Sequence, residues 1–213
     1  MKKINAKTYW DTLAAFALII AVIVLSISDG FAAADSVRSE CLRLHILAAS
    51  DSYEDQRVKL LVRDRLLETG AEIFSGALNA GQAAEKIEKN RELLIAAANS
   101  VLQENGFSYT ADIVIEEEYF ETRQYEEVKL PAGVYLACKV ILGEGDGQNW
   151  WCVMFPPLCL PVATKKGTEE VYAVFGEDGG ALVTGKSGYK IKFRIVEVAE
   201  EIIRKIEERL NTD

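Results

Sequence analysis

The apolar pattern of this chain changes period around Asn105-Gly106, and that switch restricts the fold more than any other feature. Upstream, Val58, Val62 and Leu66 fall at i, i+4 and i+8 with Leu61 beside them, which predicts an amphipathic helix. Ser52 with Asp55 three positions on makes a capping-box pattern at its start, Glu54 and Asp55 suit the positive end of the helix dipole, and Gly76 marks its stop. A second helix is expected from Gln82 to Glu104, with Ile87, Leu94, Ala98 and Val101 on one stripe and Asn105-Gly106 as its end. Downstream, Ala111, Ile113 and Ile115 alternate with Asp112 and Glu116. Past a Pro131–Gly133 turn, Val134, Leu136, Cys138, Val140 and Leu142 share one face of another strand, expected to be an antiparallel neighbour of the first. "LRLHIL" (Leu42–Leu47) reads as a short strand ahead of the helices, and Gly179-Gly180 as a turn. The chain ends in an amphipathic helix whose Ile195, Ala199, Ile202, Ile203, Ile206 and Leu210 are expected to dock on the core. Together these elements predict an α+β domain with helices packed on one face of a mainly antiparallel sheet.

The first 34 residues are different in kind. Lys2, Lys3 and Lys7 precede an uncharged, largely apolar run from Thr12 to Ile27, and Ala32-Ala33-Ala34 supply small residues for a cut before Asp35. Basic, apolar and small-residue regions in that order make a secretory signal peptide. The alternative is an uncleaved anchor, since the run falls just short of the ~20 residues that span a bilayer. Either way the basic flank stays inside and the remainder is exported. Residues 1–34 are therefore read as a signal peptide or membrane segment, and 35–213 as a single exported domain.

A net charge of −9 without any Lys/Arg-rich run argues against nucleic acid as a partner. Cys41, Cys138, Cys152 and Cys159 form an even set in an exported chain, which permits disulfides without choosing among the pairings. His45 is the single histidine. A Cys–His hydrolase would have to combine it with Cys152 or Cys159 and an orienting Asn149 or Asp51, but its place in an alternating strand favours a structural imidazole. There is no C-x-x-C or H-x-x-x-H pair and no G-x-S-x-G elbow, so neither a metal nor a cofactor is expected. Gly143–Gly147 lacks the Lys-Ser/Thr ending and the helix of a phosphate loop and reads as a sharply turned hairpin connection. The Glu116–Glu121 run reads as a solvated strand face.

The densest stretch is "GEGDGQNWWCVMFPPLC", residues 143–159. Trp150 and Trp151 are consecutive, so in an extended chain their indoles face opposite sides, one toward the core and one toward the surface. Pro156-Pro157 stiffens the exit from the strand. Cys152 and Cys159 flank that turn and can bridge if the chain reverses, which would leave Cys138, on its apolar strand face, a free core thiol. Rigid aromatic and proline surfaces lose little rotamer entropy on binding, so Asn149, Trp150, Trp151, Phe155, Pro156 and Pro157 are the candidate partner-binding residues. Two purely structural tryptophans are the competing reading.

Four segments carry a resemblance: "RLHILAASDSYEDQRVKLLVRD" (Arg43–Asp64), "YFETRQY" (Tyr119–Tyr125), "LPAGVYLACKV" (Leu130–Val140) and the 143–159 stretch. Together they resemble the stage II sporulation protein R family, from about residue 40 to 160. Gln148 stands where the family often carries His, Ala49 where Asn is usual, and Glu121 where Pro is usual. The resemblance implies a protein secreted from the forespore into the space between forespore and mother cell. It implies a membrane-embedded aspartic protease of the mother-cell membrane as partner, whose activation leads to processing of pro-sigma-E. A signalling ligand rather than an enzyme is expected on that ground. The runner-up is an exported cysteine-dependent hydrolase or transpeptidase acting on wall material through Cys152 and His45.

Overall fold

The strand Leu42–Leu47 is buried on both faces and forms the centre of the molecule. The computed structural model describes residues 6–73, 76–125, 128–156, 165–186 and 188–210. In chain order these form α1 (Ala6–Glu40), β1 (Leu42–Leu47), α2 (Tyr53–Ile73), α3 (Ala80–Lys89), α4 (Arg91–Glu104), β2 (Ala111–Phe120), β3 (Arg123–Tyr125), β4 (Val128–Leu130), β5 (Gly133–Leu142), β6 (Asn149–Phe155), α5 (Lys165–Val183) and α6 (Tyr189–Leu210). The main sheet runs β2-β5-β1-β6, and β3 and β4 make a separate two-stranded ribbon.

β2 and β5 are antiparallel in unbroken register from Ala111↔Leu142 to Phe120↔Gly133, as their alternation predicts. β1 pairs antiparallel with β6 on one side and parallel with β5 on the other. The sheet is thus mixed, because a strand that enters ahead of α2–α4 and β2 can lie beside β5 only after a long crossover. The Gly143–Gly147 segment is accordingly not a hairpin turn: β1 sits between the strands it joins.

Helices cover both faces rather than one. Val58, Val62 and Leu66 of α2, Ile87 of α3 and Leu94 of α4 pack on Leu44, Ile46, Ile113 and Val140. On the other face Val37 from the end of α1, Cys41 just after it, Phe175 of α5 and Leu130 of β4 pack on Phe120, Tyr135, Ala137 and Val153. The long helix expected from Gln82 is two helices: Asn90, at φ −113° and ψ 18°, ends α3, and its side-chain amide donates to the Lys86 carbonyl at 2.8 Å.

The C-terminal third departs furthest from its sequence reading. Gly179-Gly180 lies inside α5, which kinks at Gly176 (φ 69°), and Gly179 lets α5 approach Val37 of α1. In α6 only Phe193 and Val196 are buried; of the expected docking stripe Ile195 and Ala199 are half-buried and Ile202, Ile203, Ile206 and Leu210 are exposed, so that stripe does not dock on the core. α1 continues through the expected cut: Ala33 and Ala34 are buried with Leu182, Phe193 and Val196, whereas Trp10, Phe16, Leu18 and Leu25 are exposed. Among the described residues no helix is long and apolar enough to cross a membrane.

Candidate recognition surface

β6 places the two tryptophans by register. Trp150 lies opposite Ile46 and Trp151 opposite His45, so the indoles project from opposite faces of the sheet, as adjacency requires. The expected division into one exposed and one buried ring is not found: both are partly buried. The Trp150 ring lies beneath the Arg63 guanidinium, 4.6 Å from its centroid, and its buried indole nitrogen has no hydrogen-bond partner among the described residues. Trp151 stacks on His45 with centroids 3.7 Å apart and meets Phe120 edge-on at 5.0 Å. Asn149 is exposed, Phe155 and Pro156 are buried, and Pro157 and Cys159 lie outside the described residues.

Why β6 starts where it does follows from its glycines. The Gly147 amide donates to the Ala48 carbonyl at 2.8 Å, and a Cβ at Gly147 would collide with the Ser50 carbonyl. The Gln148 amide donates to Asp51 at 2.7 Å, and the Lys59 ammonium donates to the Gln148 carbonyl at 2.7 Å. Gly143 and Gly145 take φ values of 58° and 72°, the left-handed region that favours glycine. The 143–148 segment is thereby fastened to the loop between β1 and α2, and the first and last quoted motifs become one structure.

Asp55 anchors that loop. Ser52 caps α2 by accepting the Asp55 amide at 3.1 Å, but the Asp55 carboxylate does not complete a capping box. It accepts instead from the hydroxyls of Ser50, Ser52 (3.0 Å) and Tyr109 (2.5 Å). Burial pushes the carboxyl pKa up, and the three hydroxyl bonds outweigh it, holding Asp55 below its ordinary value. Burial and the Asp55 partner in turn push the Tyr109 phenol upward.

The opposite face carries a centre that sequence reading missed. Arg43 is fully buried, its guanidinium 4.2 Å from the Phe120 ring centroid and 4.9 Å from that of Tyr135. It donates to the Cys152 carbonyl at 3.1 Å and to the Tyr125 hydroxyl at 2.7 Å, while Nη1 has no partner among the described residues. The available signal was a charge inside an otherwise apolar strand, together with the aromatic "YFETRQY" segment that supplies Phe120 and Tyr125. A buried guanidinium over aromatic faces is held by cation–π attraction as well as by hydrogen bonds. Beside it, His45 Nδ1 lies 2.9 Å from Glu118, and the buried Nε2 has no partner among the described residues.

These positions separate the residues of a cysteine hydrolase. Cys152 is opposite Leu44 in the register and shares the α2–α4 face, whereas His45 projects from the other. Cys152 is disulfide-bonded. Cys41 and Cys138 are free, buried thiols, and burial pushes both up to about 12. No cluster of three His, Cys, Asp or Glu side chains suited to a metal occurs among the described residues.

Comparison with known proteins gives the geometry a family. A model described as "Stage II sporulation protein R (spore_II_R)" matches residues 38–165, more than half of the chain. A curated stage II sporulation protein R from Bacillus subtilis (strain 168) is 33% identical over 149 residues. That alignment covers 63% of this chain and 66% of the relative, just under two thirds of its length. No solved structure matches. The matched span begins at Arg38 and runs past β6, so it contains the Arg43 centre, the Asp55 loop and both tryptophans: the chain belongs to the stage II sporulation protein R family.

Proposed function

We propose that this protein is an exported sporulation signal that activates a membrane-embedded aspartic protease of the mother-cell membrane and so triggers processing of pro-sigma-E. Family membership supports the sporulation role. The observation that carries the signalling reading is the construction of β6: a tryptophan pair on the sheet's edge strand, fastened at Gly147 and Gln148 to the β1–α2 loop. Such a preorganised aromatic surface loses little entropy on docking. Its partner-binding residues are Asn149, Trp150 and Trp151; Phe155 ends β6 and Pro156 follows it, both buried. The basic, apolar and small-residue order of the first 34 residues supports export into the space between forespore and mother cell.

Binding of the exported chain to the protease, measured with Trp150→Ala and Trp151→Ala variants of verified folding, tests this reading. Loss of binding in at least one folded variant is expected. Full binding by both would move the recognition surface away from β6.

A further inference from the structure

The bond expected to be cut on export, Ala34–Asp35, lies inside a continuous helix, since α1 runs unbroken from Ala6 to Glu40. Asp35 is exposed, so the bond reaches the surface, but Ala34 ahead of it is fully buried and Ala33 nearly so. Both pack on Leu182 of α5 and on Phe193 and Val196 of α6. Two ion pairs fasten α6 on either side of the bond: Lys192 lies 3.6 Å from Asp29 upstream, and Glu200 lies 2.6 Å from Arg38 downstream. The same Arg38 guanidinium donates to the Ala132 carbonyl at 2.7 Å, which ties this stretch of α1 to the turn before β5 as well. The two helices approach closely, so that a Cβ on Gly30 would lie 3.3 Å from the Lys192 Cβ.

A signal-peptide endopeptidase reads small side chains just ahead of the bond it cuts. Helical residues commit their amides and carbonyls to bonds within the helix, and Ala34 offers no accessible side chain while α6 is docked. Cleavage of a packed segment follows the population in which that segment opens. α6 is also the last of the described elements in chain order, so the Ala34–Asp35 bond is uncovered while the chain is still crossing the membrane and is covered only afterwards.

We propose that docking of α6 closes the Ala34–Asp35 bond to the signal-peptide endopeptidase, so that processing competes with folding. The cut is a hydrolysis: the amide C–N bond breaks, the Ala34 carbonyl carbon takes the hydroxyl of water, and the Asp35 nitrogen takes its proton. A chain cut before α6 docks is released as residues 35–213. A chain that folds first keeps its apolar Thr12–Ile27 run and stays at the exporting membrane. The inference rests on the export reading above and makes the α1–α6 contact the step that divides released from tethered chain.

Full-length chain in detergent micelles, incubated with a bacterial signal peptidase and followed by N-terminal sequencing, tests this. Val196→Asp, with the sheet verified by tryptophan fluorescence, is expected to be cut before Asp35 at least tenfold faster than wild type. A Gly30→Cys/Lys192→Cys pair, whose Cβ atoms are close enough to bridge, locks α6 onto α1. Its oxidised form is expected to be cut at least tenfold slower than its reduced form, and wild type under the same two conditions controls for the Cys152 disulfide. The staple decides the matter if Val196→Asp unfolds more than α6. Equal rates for wild type and a folded Val196→Asp variant, equal rates for the oxidised and reduced staple, or no cut before Asp35 in any form overturns the proposal. Neither the mother-cell protease nor the sigma factor is in the assay, so its failure leaves the signalling reading standing, and a failure of sigma-factor processing leaves this result standing.

Discussion

Trp151 lies nearly flat on His45, with ring planes 17° apart, and His45 Nδ1 meets Glu118 at 2.9 Å. One side chain from each of β6, β1 and β2 is thus joined across the sheet, with β5 passing between two of them. The single histidine serves as a spacer between an indole and a carboxylate. His45→Ala should destabilise the domain by about 2–3 kcal/mol through lost stacking and an unpaired Glu118. Trp151→Ala, which also loses the Phe120 contact, should cost about 3–5 kcal/mol. Denaturant titration of the two variants and their double mutant checks this, and a fully additive double mutant would contradict direct coupling.

The glycines of the 143–148 loop differ from those that merely end helices. Gly147→Ala places a methyl group against the Ser50 carbonyl and should cost about 1–3 kcal/mol. Gly106→Ala meets nothing within 4 Å, but its φ of 82° imposes about 1 kcal/mol of backbone strain. Thermal melts should rank Gly147→Ala below Gly106→Ala. Equal melting temperatures would mean the loop is not fastened as described.

Asp55 confers an acid sensitivity with a definite sign. Its pKa is held down in the folded chain, so its stabilisation is present above the unfolded carboxylate value near 4 and is lost as pH falls through the lower folded value. Wild type should exceed Asp55→Asn in stability at pH 7, and the gap should shrink below about pH 4. A gap that stays constant from pH 7 to pH 2 contradicts the three-hydroxyl account.

Thiol chemistry divides the cysteines. Cys41 and Cys138, with thiols pushed up to about 12 by burial, should resist alkylation until the chain unfolds. Cys152 should be recovered linked to Cys159 in unreduced peptide maps, since the other two are free. Rapid labelling of Cys138 in the native protein, or a free thiol at Cys152, runs against this.

How legible the fold is depends on how local each signal is. The cap at Ser52, the α2 stripe and the β2–β5 register follow from near neighbours in sequence, and they form as expected. The insertion of β1 between β5 and β6 does not, because Leu42–Leu47 alternates no differently whether its neighbour is parallel or antiparallel. The same holds for Arg43, whose burial depends on Phe120, Tyr125 and Tyr135 arriving from three later segments. In α6 the periodic stripe does not reveal the docked face: Phe193 and Val196, outside that stripe, pack on Ala33 and Ala34, while Ile202 to Leu210 extend past them.

That packing makes cleavage before Asp35 structurally consequential. Removing Ala33 and Ala34 would expose Leu182, Phe193 and Val196, so amide exchange in α6 should accelerate in the 35–213 chain relative to the full one, while β1 and β5 stay protected. Unchanged α6 protection would show that this contact is dispensable.

The most direct test of the account is processing of pro-sigma-E in cells producing the precursor, the protease and this chain, with export intact or blocked by deleting Thr12–Ile27. The account predicts mature sigma factor with the exported chain, none with the export-blocked chain, and retained processing in a folded Cys138→Ala variant. Processing that proceeds without the chain, or equally with the export-blocked form, would contradict it.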